Sequence, residues 1–497
     1  MSSPSPTPPL DDGLSNAAGP PKSQRALQAG GLAAAAVLSA LCYHAAMRWE
    51  PFAVWLVAAS LAFLVALTSA GTARRAFYTG IAAALLTYVP HLWFLRGIFS
   101  VTAIPLWCCL ALWPGFFCGT LHVVRRKAGP WAALAAAPLL WMGFEYIRSE
   151  VWLLRFTWMT PGFGLPAARM GWAFGELGVY GAGALLALAG AGGVLLKKHI
   201  GAAACLLLLP ALLLLGKIPQ SSPSSLRVTG VQFEEALPIQ LLEGLENARL
   251  AHPDTQLFLL PEYSFSDTPP EEVLAWCRLY KTHLIAGGRE YLPGEKNSQH
   301  LPAYYNMAFV IGPEGTVIHK QAKSRPIQFF DDGRPAPSQA VWNSPWGRIG
   351  ICICYDQNYR EVTDPLAAQG MQALVIPTLD LETWGEHQHW LSARLAATRA
   401  VEHGVPVLRL ASSGYSQFID AQGRILASGS MPGQGEIVSA VIPMASAPRM
   451  PLDHWIAPAA PYFSGLMILW ALTVSFIDER RRLKAAVPPP NVVGNAP

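Results

Sequence analysis

The sequence predicts an α-helical membrane bundle of about eight spans joined to a single α/β domain. Three observations lead there. Eight apolar runs are long enough to cross a bilayer. Only 14% of the 497 residues are charged, against about 25% in soluble domains. One long polar segment, 225–448, separates the last run from the others.

Taken in order, residues 1–24 are rich in Pro, Ser and Gly and have no apolar core, which predicts a disordered tail. No hydrophobic stretch with a cleavage site comes early enough for a secretory signal. Apolar runs follow at 26–47, 51–71, 77–95, 99–123, 129–147, 171–196 and 199–216, predicting a bundle over 25–220. An eighth run predicts a final span over 454–478, with a cytoplasmic tail at 479–497. Arg74-Arg75, Arg125-Arg126-Lys127 and Lys197-Lys198 follow the second, fourth and sixth runs. Lys22 and Arg25 precede the first run, and Arg480 to Lys484 follow the last. With eight spans all these clusters share one side, which the positive-inside rule makes cytoplasmic. The polar domain would then face outward; a re-entrant run, such as 199–216, would put it on the other side.

That domain carries short apolar runs bounded by Gly, Pro or polar residues, at 227–232, 256–260, 283–287, 306–311, 348–353, 373–376 and 406–410. These are buried-strand signals. Helical spacing at 270–280 and 389–403 places helices outside a layered sheet. The net charge of +4 comes without any basic block interleaved with aromatics, so nucleic-acid binding is excluded. Five of the eight cysteines (Cys42, Cys108, Cys109, Cys118, Cys205) fall in apolar runs, which predicts no disulfide framework. Cys352 and Cys354, two apart on an expected strand, should share a face.

Three residues in the polar domain combine into one chemistry: Glu262 in Leu-Leu-Pro-Glu, Lys323 in Lys-Gln-Ala-Lys, and Cys354 in Ile-Cys-Tyr-Asp. Each alone has a bland reading, as a loop carboxylate, a basic surface or a core thiol. Together a carboxylate, an ammonium and a thiol can attack a carbonyl carbon. The thiolate is the nucleophile, and a nearby ammonium lowers a thiol pKa. Glu262 would take and return the proton. Lys323 and the Tyr355 N–H would hold the oxyanion, and the first product is a thioester.

In their order Glu-Lys-Cys, these residues resemble the nitrilase superfamily, whose fold is an αββα sandwich. With the preceding and following spans, the chain resembles that superfamily's membrane-embedded branch, the bacterial apolipoprotein N-acyltransferases. Pro138-Leu-Leu-Trp141, Glu145, Arg148 and Gly178-Val-Tyr-Gly181 are similar to its membrane half. Tyr305-Asn306, Gln388-His389, Ala393-Arg394, Arg399-Ala-Val-Glu402 and Asp420-Ala-Gln-Gly-Arg-Ile425 are similar to its catalytic half. Leu260 stands where the family usually has Trp, Asp356 where it has Glu, and Ser412-Ser413 where it has Asn-Asn. The resemblance implies an accessory carboxylate at Asp331. It implies a phospholipid acyl donor, a diacylglyceryl-cysteine lipoprotein acceptor, no cofactor, and a place in the bacterial inner membrane with the catalytic domain on the periplasmic side.

Two other outcomes stay open at this level. Water instead of an amine could resolve the thioester, making the protein a membrane-anchored amidase that hydrolyses a C–N bond. A transporter with an accessory domain is disfavoured by the scarcity of charges in mid-span. His387-Gln-His389 could supply two metal ligands from a strand, although the resemblance puts His389 on a helix and implies no metal. Glu145, Arg148, Glu150, Arg155 and Glu176 gather at the expected outward end of two spans, as functional groups or as snorkelling helix ends. Phe329 and Phe330, just after Lys323, are lid candidates.

Overall fold

A backbone in hydrocarbon must satisfy its own hydrogen bonds, so long apolar runs fold as helices. The computed structural model describes residues 22–214, 224–429 and 432–485. The expected tail at 1–24 lies almost wholly outside the described residues, as do residues 486–497. The bundle contains α1 (Lys22–Arg48), α2 (Ala53–Ala66), α3 (Ala73–His91), α4 (Leu95–Phe99), α5 (Ala103–Tyr146), α6 (Gly171–Leu195) and α7 (Ile200–Leu212). Five helical stretches among the described residues are long and apolar enough to cross a membrane: 26–48, 50–69, 95–151, 171–195 and 460–483. The third contains two arms, because α5 breaks at Gly129 (φ 89°) before Pro130. Within the run expected as a full span at 199–216, the described residues form a helix of 13 residues, and 215–216 lie outside the described residues.

The α/β domain comprises β1 (Ser225–Phe233), α8 (Pro238–Ala251), β2 (Leu257–Leu259), α9 (Glu271–Tyr280), β3 (His283–Lys296), β4 (Pro302–Ile311), β5 (Val317–Ala322), β6 (Trp342–Ser344) and β7 (Gly347–Ile351). It continues through α10 (Arg360–Ala368), β8 (Ala373–Thr378), α11 (Glu386–His403), β9 (Val407–Ala411), β10 (Gln417–Ile419), β11 (Ile425–Ser428) and β12 (Gln434–Pro443). The chain then returns to the bundle in α12 (Asp453–Ile456) and α13 (Ala460–Ala485), which absorbs residues 479–485 of the expected tail.

Two six-stranded sheets, ordered β12-β1-β2-β3-β4-β5 and β11-β10-β9-β8-β7-β6, face each other. Each has three parallel strands at its centre, β1-β2-β3 and β7-β8-β9, with antiparallel strands outside. Central parallel strands are covered on both faces and so read as continuous apolar runs. In β2, Leu257 and Leu259 enter the core between the sheets, while Phe258 packs under α8 and α9. Helices α10 and α11 cover the second sheet, completing an α/β/β/α sandwich.

The sandwich stands on the bundle through α11, which is buried on two sides. Ala396 and Ala400 face the sheet, and Leu391, Leu395 and Val401 join the bundle core. A break in α6 receives the other contacts. Gly178 has φ 75°, and a Cβ there would lie 1.9 Å from Asp453 Oδ1, so only glycine fits. The break exposes the N–H groups of a new helix start. Val179 N–H donates to Glu402 (3.1 Å) and Tyr180 N–H to Asp453 (2.9 Å). Arg399 pairs with Glu402, and Arg360 with Asp453.

Candidate active site

Four loops at one edge of the sandwich bring the candidate residues together. Glu262 follows β2, where open α/β sheets present side chains to ligands. Its backbone is pressed against β3, so a Cβ on Gly287 would meet Glu262 Cα at 2.5 Å. Glu262 Oε1 accepts from Lys323 Nζ (2.9 Å) and Asn306 Nδ2 (2.6 Å), and Oε2 from the Leu379 N–H (2.6 Å). Lys323, fully buried at the end of β5, also pairs with Asp332 Oδ2 at 2.7 Å. Burial raises the Glu262 carboxyl above its ordinary pKa, with Lys323 opposing and Asp332 reinforcing the rise. Burial works against the Lys323 ammonium, but the charges of Asp332 and Glu262 overcome it and hold its pKa high.

Cys354 begins a tight turn, Cys354–Asn358, just beyond β7. Its φ of 52° is left-handed, a conformation that costs a non-glycine residue about 1–3 kcal/mol and gathers at functional sites. That twist separates the two cysteines expected to share a face. Cys352 packs with Tyr359 and Val362 under the helices, whereas Cys354 joins the core side with Ile353. Leu379 links the candidates: its N–H binds Glu262 while its carbonyl lies 3.7 Å from Cys354 Sγ. Burial pushes the Cys354 thiol well up, Glu262 adds to the rise, and Lys323 opposes it. The expected lowering by Lys323 is therefore outweighed by burial and by Glu262.

The accessory carboxylate expected at Asp331 is not there. Asp331 is exposed and accepts from Asn297 Nδ2 (3.0 Å). Its neighbour Asp332 occupies the site, accepting from Tyr263 Oη (2.7 Å), Asn306 Nδ2 (2.9 Å) and the Ile327 N–H (2.8 Å) besides Lys323. The loop after Lys323 turns through Phe329 at φ 71°, which brings the second aspartate inward. Asp356, which stands where the family usually has Glu, accepts the N–H groups of Ser324, Arg325 and Ile353 at 3.0, 2.7 and 3.1 Å. It ties the lysine loop to the cysteine turn, with its carboxyl raised to about 6 by burial. Tyr355 and Tyr359 hydroxyls both donate to Arg155 O, at 3.2 Å each, tying the turn to the bundle.

From Cys354 a narrow cavity of about 90 Å³ leads toward the bundle. Its walls are Phe94, Leu95, Ile98 and Phe99 around α4, Leu154, Phe156 and Trp158 from the loop after α5, and Ile327 to Phe330. Phe99 packs against both Phe329 and Phe330, and Phe329 is 78% exposed at the mouth. Sequence reasoning found the two phenylalanines but not α4, whose apolar residues look like any membrane segment.

The remaining sequence candidates serve other ends. His387 and His389 lie on α11 and diverge: His387 Nε2 is 3.3 Å from His91 Nδ1, and His389 Nε2 is 2.8 Å from Leu381 O. No group of three His, Cys, Asp or Glu side chains among the described residues is arranged for a metal. Glu145 pairs with buried Arg148, Glu150 accepts from Tyr180 Oη, and Arg155 pairs with Glu361, all at the junction of bundle and sandwich.

Comparison with known proteins covers both halves. Residues 35–192 match the apolipoprotein N-acyltransferase N-terminal domain family, and residues 244–450 the carbon-nitrogen hydrolase family. An apolipoprotein N-acyltransferase of Pseudomonas paraeruginosa is 28% identical over 445 residues, 79% of this chain and 82% of that protein. One from Geobacter metallireducens is 25% identical over 71% of this chain and 78% of its own. The human omega-amidase NIT2 is 30% identical, but over only 31% of this chain and 59% of its own. Similarity that runs through bundle and sandwich together, rather than the sandwich alone, makes this chain an apolipoprotein N-acyltransferase-like member of the nitrilase superfamily.

Proposed function

We propose that the protein transfers a fatty acyl chain from a phospholipid, through a thioester on Cys354, to the N-terminal amine of a diacylglyceryl-cysteine lipoprotein. The observation that carries the reading is the apolar cavity running from Cys354 toward the bundle between α4 and residues 327–330. A soluble amidase has no use for such a path, whereas a lipid acyl chain needs one.

Glu262, Lys323 and Cys354 are the catalytic residues of this reading. Glu262 takes the thiol proton and the sulfur attacks the ester carbonyl. Lys323 and the N–H of Tyr355 steady the oxyanion; donors of this kind are worth about 3–4 kcal/mol each. The ester C–O bond breaks, Glu262 protonates the departing alkoxide, and a lysophospholipid leaves. Asp332 binds Lys323 permanently, so the ammonium keeps a counter-charge when Glu262 is protonated. The acceptor amine then resolves the thioester. Both substrates are confined to the bilayer, which raises their concentration at the mouth. Phe329 and Phe330 close that mouth against water, which would otherwise hydrolyse the thioester.

The segregation of Lys and Arg supports an inner-membrane protein with its sandwich on the periplasmic side. A reporter fused near residue 340 is expected outside and one after Lys484 inside. The decisive experiment incubates purified protein with phospholipid vesicles and weighs the Cys354 peptide. An acyl adduct should accumulate, fatty acid should appear slowly, and a diacylglyceryl-cysteine peptide should discharge the adduct as an amide. Rapid fatty acid or ammonia release without acceptor, and no amide with it, would establish the amidase instead.

A further inference from the structure

Apart from Gln328 and the Tyr355 ring, the polar lining of the Cys354 cavity is Asp380, Gln388 and Ser392. Asp380 is buried; one carboxylate oxygen pairs with Arg409, and the other accepts from Gln388 Nε2 at 3.4 Å. Binding Asp380 through its nitrogen commits Gln388 to one orientation and leaves Oε1 as the free end. That oxygen is buried and has no partner, although Gln388 is only 4% exposed. An unpaired buried acceptor is costly to leave in that state, so such a group calls for a ligand. Beside it the Leu379 carbonyl lies 3.7 Å from Cys354 Sγ. A carboxylate and an amide oxygen thus line the cavity that contains Cys354, and a carbonyl lies beside its sulfur.

We propose that this wall docks the acceptor's α-amine, with Gln388 Oε1 and Asp380 as its hydrogen-bond acceptors, and so favours amine over hydroxyl nucleophiles. The inference rests on the acyl-Cys354 reading above. Acceptors repel a developing oxyanion, so the acyl oxygen turns to Lys323 and the Tyr355 N–H, and the opposite side is left to the nucleophile. A primary amine offers two N–H groups to the wall and keeps its lone pair for the carbonyl carbon. A hydroxyl offers one.

The step balances without a co-reactant. The arriving ammonium loses one proton to solvent. As the C–N bond forms, Glu262 takes a second proton from nitrogen; the C–S bond breaks, and Glu262 returns that proton to Cys354 sulfur.

The test uses full-length protein with two probes, a synthetic diacylglyceryl-cysteine peptide and its analogue bearing hydroxyl in place of the amine. On wild-type acyl-enzyme the hydroxyl analogue should compete at least tenfold more weakly than the amine peptide binds. Equal competition overturns the proposal. Gln388→Met should raise the peptide's KM roughly ten- to hundredfold, far more than it changes the phospholipid's KM, and Gln388→Glu should recover most of the loss. A parallel rise in both constants, or no rise in either, also overturns it. If phospholipid fails to acylate the wild type, the function proposed above falls. Loading Cys354 with a fatty acyl nitrophenyl ester then still lets the amine and hydroxyl probes decide whether the wall selects amines. Should Gln388→Met not fold, the wild-type competition decides.

Discussion

The protein buries charge in two places, and the two clusters are wired oppositely. At the edge of the sandwich Glu262 shares one ammonium with Asp332, and burial leaves its carboxyl easier to protonate than usual. At the junction with the bundle Glu402 faces Arg399 and a helix N–H, with Arg360 also near, and its carboxyl is held down at about 2 despite burial. Lysine shared between two carboxylates allows a proton to come and go. Arginine and a helix start lock an anion in place. Burial alone therefore does not mark a working group; the ratio of partners does.

The largest effect should come from breaking the first cluster. Glu262→Gln keeps the size and most hydrogen bonds of the side chain but removes the proposed base. Acyl-enzyme formation, followed by mass spectrometry, should fall about 10²–10⁴-fold with little change in thermal unfolding. Glu402→Gln should reverse that pattern. Arg399 would be left buried without its counter-charge, a loss of about 3–5 kcal/mol, while the rate per folded molecule changes far less. If Glu402→Gln stopped acylation at unchanged stability, the distinction between the clusters would collapse.

Acid should separate them next. In the proposed mechanism Glu262 works as the carboxylate, and its pKa is raised, so acylation should fall on acidification at a pH above 4.5, the ordinary glutamate value. Glu402 has the opposite sign. Its lowered pKa contributes stability above about 4.5 that is lost only as pH falls toward 2. Activity should therefore fade while Glu402 still holds the junction, and the loss should reverse on neutralisation. The smallest effect should be that of Cys352→Ala, which removes a thiol from the helix-side core. A cost of about 1 kcal/mol and unaltered labelling of Cys354 are expected; lost labelling would mean that the two thiols cooperate.

Central strands were legible because parallel strands covered on both faces are mostly apolar: β2 is wholly so and β8 is apolar up to Thr378, while β1, β7 and β9 keep apolar residues around Arg227, Arg348 and Arg409. Edge strands were not. β5 reads Val-Ile-His-Lys-Gln-Ala, half exposed, and only its pairing with β4 declares it. The loop carrying Lys323 was legible as a motif, but which of two adjacent aspartates turns inward depends on backbone geometry around Phe329 that composition does not encode. Asn306 was noted only as part of a resemblance, yet it bonds Glu262 and Asp332 together. Of the proposed amine-facing wall the sequence marked only Gln388, as part of a resemblance, since Asp380, Gln388 and the Leu379 carbonyl come together only when β8 and α11 pack.

The break in α6 also has a consequence in time. Its exposed N–H groups are answered by carboxylates made much later, Glu402 223 residues on from Val179 and Asp453 273 residues on from Tyr180. At about 5–20 residues per second, a ribosome needs roughly 15–55 s to cover the longer interval. Until then the middle of a membrane helix carries unanswered polar groups, and the bundle is unfinished. A chain stopped before Asp453 would leave that gap open permanently, which offers quality-control proteases a physical mark of an incomplete molecule.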